Sequence, residues 1–167
     1  MANPLYGQNK ADNAIDNVSG VVKHVKALSD GTHIAAAETV ILTSSDAGNR
    51  YFVDISTNTA SFRLPSAYTN MGMEVHFHLD INSDTEATKD LDIFTDSTAE
   101  YILGVGLDAG AVHDTTEADD LLRIDTTAGE AVAGDRISLV CDGLHWYVTD
   151  AVAVSANAFV SGTATRA

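Results

Sequence analysis

The stretch that decides the fold is Arg136-Ile-Ser-Leu-Val-Cys-Asp142-Gly143-Leu-His-Trp146-Tyr-Val-Thr149, in which two alternating apolar runs flank an Asp-Gly pair. An Asp-Gly pair in this setting is the strongest short-range signal for a β-hairpin, because both turn positions favour positive φ. Trp146 shares one strand face with Leu144 and Val148, whereas Tyr147 points the other way. We therefore predict a hairpin that buries Trp146 and directs Tyr147 outward.

The same period-two pattern recurs along the chain from Val21 onward, and it is clearest over Met73–Ile81, where apolar and polar residues alternate strictly. Strands about ten residues apart, joined by Gly, Ser, Asn and Asp, are typical of an all-β sandwich or barrel. We predict an antiparallel sandwich or jelly-roll-like barrel. The predicted strands are Val21–Leu28, Thr39–Thr43, Arg50–Ile55, Ala60–Leu64, Met73–Ile81, Leu91–Thr95, Tyr101–Val105, Leu121–Asp125, Arg136–Cys141, Leu144–Thr149 and Ala151–Val160.

Length and charge limit the classes of protein to which the chain can belong. Its 167 residues fit one domain, which we place at residues 21–167, after a polar N-terminal arm at residues 1–20. The tail from Ala151 carries no charge as far as Val160, which predicts an edge strand or a segment swapped with a neighbour. A net charge of −15 with no basic stripe argues against nucleic-acid binding. No apolar run approaches the length of a membrane span, so we expect no membrane partner.

A second β unit extends from Thr39 through Asp46, Gly48 and Val53 to Ile55, and the following segment ends at Leu64-Pro65. Together with the GDRISLVCDGLHWYVT finish, this succession of a strand, a Ser/Asp/Gly turn, a strand and a Leu-Pro end resembles the β-rich structural proteins of tailed-bacteriophage virions. The matched positions cover about Thr39 to Val148. The family comprises head decoration (cement) proteins and fibre-like appendages.

The resemblance implies a capsid decoration protein, which is not an enzyme and needs no cofactor. Such a protein assembles in the host cytoplasm, resides in the virion and stabilises the head by binding between subunits of the major capsid protein, usually as a homotrimer. The arm and the tail would make the contacts. The implied contact residues are Pro4, Leu5, Tyr6, Ile15, Val18 and Phe159. A tail or fibre appendage subunit, and a carbohydrate-binding sandwich with Tyr147 or Tyr101 as its platform, are the alternatives.

His76, His78 and Asp80 form the sharpest candidate for a metal site, because alternate residues of a strand point the same way. Such a site would make the chain a small cupin-like metalloenzyme. The further ligands of such a site are not identifiable beyond Glu86, His113 and His145. We favour a polar row on the strand and expect no bound metal.

Two acidic segments and the lone cysteine are weaker candidates. Residues 80–86 begin like a calcium loop, but Thr85 and Leu91 replace the Gly and Glu of an EF-hand, which leaves at most a looser site drawing on Asp90 or Asp92. The segment from His113 to Asp120 offers paired carboxylates, which we interpret as an acidic loop rather than a catalytic pair. Cys141 ends a predicted strand, where we expect a buried small side chain.

Overall fold

The computed structural model describes residues 22–26, 39–84, 87–126 and 131–165, and nearly all regular structure in these ranges is β. The described strands form two packed sheets, so the predicted all-β sandwich is confirmed, and neither sheet closes into the alternative barrel. The strands are β1 (Val22–Lys26), β2 (Thr39–Ile41), β3 (Arg50–Asp54), β4 (Ala60–Arg63), β5 (Glu74–Leu79), β6 (Leu91–Phe94), β7 (Ile102–Leu103), β8 (Val105–Asp108), β9 (Ala111–Asp114), β10 (Leu121–Ile124), β11 (Arg136–Cys141), β12 (Trp146–Ala153) and β13 (Phe159–Gly162).

The larger sheet has eight described strands in the order β1-β3-β5-β11-β12-β8-β9, and β7 also pairs with β12. The smaller sheet has five, in the order β13-β10-β6-β4-β2. The predicted strand Ala151–Val160 is divided between them, because β12 continues to Ala153 and β13 begins at Phe159. The end of the tail therefore pairs at a sheet edge, beside β10. The predicted arm, residues 1–20, lies outside the described residues.

The sheets are mixed, which corrects the expectation of an antiparallel sandwich. From β1 to β6 successive strands alternate between the two sheets, so that β3 pairs in parallel with β1 and β5, and β4 pairs in parallel with β2 and β6. The unit at Thr39–Ile55 is consequently an arch between sheets and not a hairpin. A chain that crosses to the other layer after every strand returns to each sheet in the same direction, which makes the neighbours parallel.

Two hairpins, by contrast, place antiparallel strands side by side. The predicted β11–β12 hairpin is confirmed, but its connection is a four-residue loop in which Gly143 has positive φ and Asp142 does not. Asp142 Oδ1 instead accepts hydrogen bonds from the backbone N–H groups of Leu144 and His145, each at 2.7 Å. The two-residue turn with both φ values positive is Ala109-Gly110, between β8 and β9.

The core lies between the sheets and is built from the inward face of each strand. Val75, Phe77 and Leu79 of β5 are buried while the residues between them are partly exposed, as their alternation predicts. Phe77 stacks on Tyr51 and meets Phe62 of the opposite sheet edge-on, with ring centroids 5.4 and 4.9 Å apart. Aromatic rings thus join the two layers at the centre of the molecule.

Candidate partner-binding surfaces

An exposed apolar surface lies where the larger sheet ends at β8 and β9. Val105, Leu107 and Val112 are 55%, 45% and 68% exposed. Leu107 stands in register with Val112 on one side and with half-buried Val152 of β12 on the other. We call these four residues the edge patch. Isolated surface valines are ordinary, but apolar residues adjacent in register form a continuous surface of the kind that partners cover.

The backbone of β9 is also available at this edge. Within the described strands β9 pairs with β8 alone. The Thr115 backbone N–H donates to the Gly104 carbonyl over 3.0 Å, which makes residues 104 and 115 a hydrogen-bonded pair. Because such pairs alternate along antiparallel strands, Val112 and Asp114 direct their N–H and C=O groups away from β8. β9 contains neither Lys nor Pro, the residues that usually protect an edge from pairing with another chain.

A second exposed apolar group lies at the opposite end of β12. Tyr68 and Met71 belong to the loop before β5, and Leu144 belongs to the β11–β12 loop; all three side chains are more than half exposed. The two loops touch, since a Cβ added to Gly143 would lie 3.3 Å from the Cβ of Met71. We call Tyr68, Met71 and Leu144 the loop cluster. Tyr and Met are enriched at protein interfaces, so the cluster is a candidate contact surface.

Both histidines of the candidate metal site are engaged with neighbouring side chains. His76 Nδ1 lies 3.0 Å from the Ser138 hydroxyl, and the ring of His78 stacks on Phe52 with centroids 5.3 Å apart. Partial burial lowers the pKa of both imidazoles, and the Arg50 guanidinium lowers each pKa further. In the described ranges no three His, Cys, Asp or Glu side chains cluster as a metal site would require. His76 and His78 thus lie on the polar face of β5, each in contact with a neighbouring side chain.

The carboxylates of the looser calcium site lie in different places. Asp84 Oδ1 accepts from the backbone N–H of Ala133 over 3.2 Å. Asp90 and Asp92 both face Arg123, which donates to Asp92 through Nε and Nη2 at 2.5 and 3.0 Å. Glu86 is outside the described residues. Among the described carboxylates, Asp84, Asp90 and Asp92 therefore do not converge on the position of one cation.

The acidic segment after β9 ties the β8–β9 hairpin to β13. Asp119 Oδ2 accepts from the backbone N–H of Thr116 at 2.6 Å and from the Ser161 hydroxyl at 3.0 Å. His113 Nε2 lies 3.2 Å from the same hydroxyl. These contacts give Asp119 and His113 structural roles at the join between the sheets. His113 and Asp114 belong to β9, so the predicted loop begins only after Asp114.

Four predicted side-chain positions can be compared directly with the structure. Trp146 is fully buried and Tyr147 faces outward, as predicted. Cys141 is also buried, its thiol lies 3.4 Å from the Ala67 carbonyl, and burial raises the pKa of that thiol. Phe159, predicted to contact a partner, is instead buried in the chain's own core near Ala151 and Gly106. Pro4, Leu5, Tyr6, Ile15 and Val18 lie outside the described residues.

Sequence reasoning missed the edge patch because it placed no strand between Val105 and Leu121, where the structure has most of β8 and all of β9. The signal was present as alternating apolar residues on both sides of Ala109-Gly110, but an Ala-Gly pair is a weaker turn signal than Asp-Gly. Gly106 lies between Val105 and Leu107, and a Cβ at this position would meet the Phe159 ring. A glycine in the middle of a strand marks such a close approach.

In the described part of the chain, no helix has the length and apolar character needed to cross a membrane. Comparison with known protein families gives no match, and no curated protein matches the chain.

Proposed function

We propose that the chain is a structural protein of a phage virion, and specifically a head decoration protein that self-associates and binds the major capsid protein. The edge patch is the observation that carries this proposal. Fully burying a Val or Leu side chain stabilises an assembly by roughly 1.5–3 kcal/mol, and the chain leaves about half of each of three such side chains in water. The resemblance of residues 39–148 to virion proteins supplies the class of partner.

The edge patch is assigned to contact between copies of the chain. The outward-facing N–H and C=O groups of β9 can form hydrogen bonds with a strand of a second copy. Val105, Leu107 and Val112 then supply the apolar contact. A net charge of −15 repels other copies at long range, so specific association has to come from short-range contacts such as these. Three copies in a closed ring would give the homotrimer that the resemblance implies.

The loop cluster is assigned to the capsid. It lies at the other end of β12 from the Ala109-Gly110 turn, which bonds to Ala153, so a ring formed through the edge patch leaves Tyr68, Met71 and Leu144 accessible. Large Tyr and Met side chains at the tips of loops can insert into a pocket of a partner without the ordering of further backbone. Binding to the assembled shell and not to free subunits would stabilise the head by mass action.

The test is the location and copy number of the chain in virions of the phage that encodes it. We expect quantitative mass spectrometry to find it among the abundant proteins of the virion, and gold-labelled antibodies to mark the head. Label confined to the tail would favour the appendage alternative, and absence of the chain from purified virions would refute the proposal. Met71→Asp together with Leu144→Asp should weaken binding of the purified chain to undecorated heads at least ~10-fold while leaving its solution mass unchanged.

A further inference from the structure

A groove of about 430 Å³ crosses the outer face of the smaller sheet, on the side away from the core. Its walls are the outward residues of β2, β4, β6 and β10, and the segment Thr163–Thr165 after β13 borders it. The edge patch and the loop cluster contribute nothing to it. A volume of 300–1,000 Å³ is typical of sites for small molecules.

A pair of opposite charges lies in this groove. Arg123 of β10 and Asp92 of β6 stand in register, and the guanidinium meets the carboxylate through two parallel hydrogen bonds. Asp90 Oδ2 lies 3.7 Å from Nη1 of the same guanidinium. The hydrogen bond with Asp92 raises the pKa of Arg123, so that the arginine is charged at every relevant pH. Both side chains of the Arg123–Asp92 pair remain partly exposed to the groove.

The other polar groups of the groove are hydroxyls. Thr39 and Ser61 are opposite each other in register on β2 and β4, and Ser61 is opposite Asp92. Thr163 and Thr165, in the segment after β13, also line the groove. Phe94 and Leu121, also in register, add an apolar portion to the lining. The groove therefore offers hydrogen-bond donors, acceptors and an apolar surface within one volume.

We propose that this groove binds a neutral carbohydrate of one to three sugar units. A sugar presents adjacent hydroxyls that donate to a carboxylate and accept from a guanidinium, and its C–H faces pack on apolar side chains. An anion approaching the Arg123 guanidinium would meet the Asp92 carboxylate beside it, and a metal cation would meet a carboxylate that the guanidinium already occupies. A neutral polyhydroxylated ligand matches the hydrogen-bond donors, the acceptors and the apolar surface of the groove. This site is distinct from the Tyr147 or Tyr101 platform of the sequence-based alternative.

The experiment applies the full chain to an array of neutral mono- to tetrasaccharides and measures the strongest ligands by titration calorimetry. We expect at least one glycan to bind with millimolar or tighter affinity. Ser61→Phe fills the groove with a side chain suited to a strand, and we expect it to weaken binding at least ~10-fold, as Asp92→Asn should through the loss of a charged acceptor. Tyr147→Ala, on the opposite sheet, is the matched control and should bind normally.

The variants also separate this proposal from its competitors. Binding that survives Ser61→Phe but is lost in Tyr147→Ala would place the sugar on the Tyr147 platform and overturn the proposal. Failure of every neutral glycan to bind the native chain would overturn it as well. A circular dichroism spectrum and a melting temperature like those of the native chain are required of each variant. Neither result bears on virion location, so the decoration proposal is tested separately.

Discussion

The two hairpins of the larger sheet share an alternating pattern of apolar residues, but one hairpin buries those residues and the other exposes them. In β11–β12 the inward residues Leu139, Cys141 and Trp146 are buried and the pattern is satisfied within the chain. In β8–β9 the apolar residues of the alternation point away from the core and remain exposed. The central hairpin is therefore a source of stability for the single chain, whereas the edge hairpin exposes an apolar surface that a second molecule can cover.

The largest expected effect belongs to the central hairpin. Trp146→Ala should lower the free energy of unfolding by about 3–5 kcal/mol, because it removes a fully buried indole and leaves a cavity. Tyr147→Ala, one residue away on the outward face, should change it by less than about 1 kcal/mol. Urea titrations followed by circular dichroism measure both. Equal losses would contradict the inward and outward assignment.

A smaller effect is expected at the base of the edge hairpin. A Cβ on Gly106 would lie 2.9 Å from the Phe159 ring and 3.2 Å from the Ala151 Cβ. Gly106→Ala should therefore destabilise the chain by roughly 1–3 kcal/mol through overpacking. Gly162→Ala is the control, since nothing lies within 4 Å of a Cβ at that strand position. If both substitutions are neutral, the hairpin does not pack on β13 in this way.

The turn of the edge hairpin should respond in the other direction. Ala109 has a φ of 47°, a conformation that costs a residue with an ordinary side chain about 1 kcal/mol. Ala109→Asn places an Asn-Gly pair in a turn with two positive φ values and should stabilise the chain by roughly 0.5–1 kcal/mol. Asn157, with a φ of 60°, provides the converse test, because Asn157→Ala should destabilise it by a similar amount. A loss of stability in Ala109→Asn would argue against the turn.

The smallest expected effect is a change of slope in stability against pH. His76 and His78 on β5 each have a lower pKa in the folded chain than the ordinary value of 6.5. The unfolded chain then binds more protons below neutral pH, so stability is lost as the pH falls through about 6.5. His76→Gln with His78→Gln should flatten this part of the profile. An unchanged profile between about pH 7 and 5 would mean that the two rings titrate normally.

The local pattern of the sequence was enough to predict most strands and the burial of Trp146. The strict alternation of Met73–Ile81 fixes which face of β5 is buried, because one face must meet the core. Strand direction was not predictable in this way. The parallel pairing of β3 with β5 depends on the chain crossing to the other sheet through β4, and no local pattern distinguishes such an arch from a hairpin.

The candidate surfaces were harder to predict than the strands. Phe159 reads as an exposed residue in an uncharged tail, yet Gly106 makes room for its ring in the core, a contact between residues far apart in sequence. Likewise Asp92 and Arg123 are brought together only by the pairing of β6 with β10. Val112 shows the converse case, in which an apolar residue of a strand points away from the core and stays exposed.

The most direct test of the edge patch is the absolute mass of the full chain in solution by light scattering, compared with that of Val112→Lys. We expect the native chain to have a mass that is a multiple of the 17.6 kDa chain mass, with three copies if the trimer is right. We expect the variant to be a monomer of unchanged stability, because Lys at an exposed edge position blocks association without touching the core. A native chain that is monomeric at tens of micromolar, or a variant that associates normally, would contradict the assignment of the edge patch to self-association.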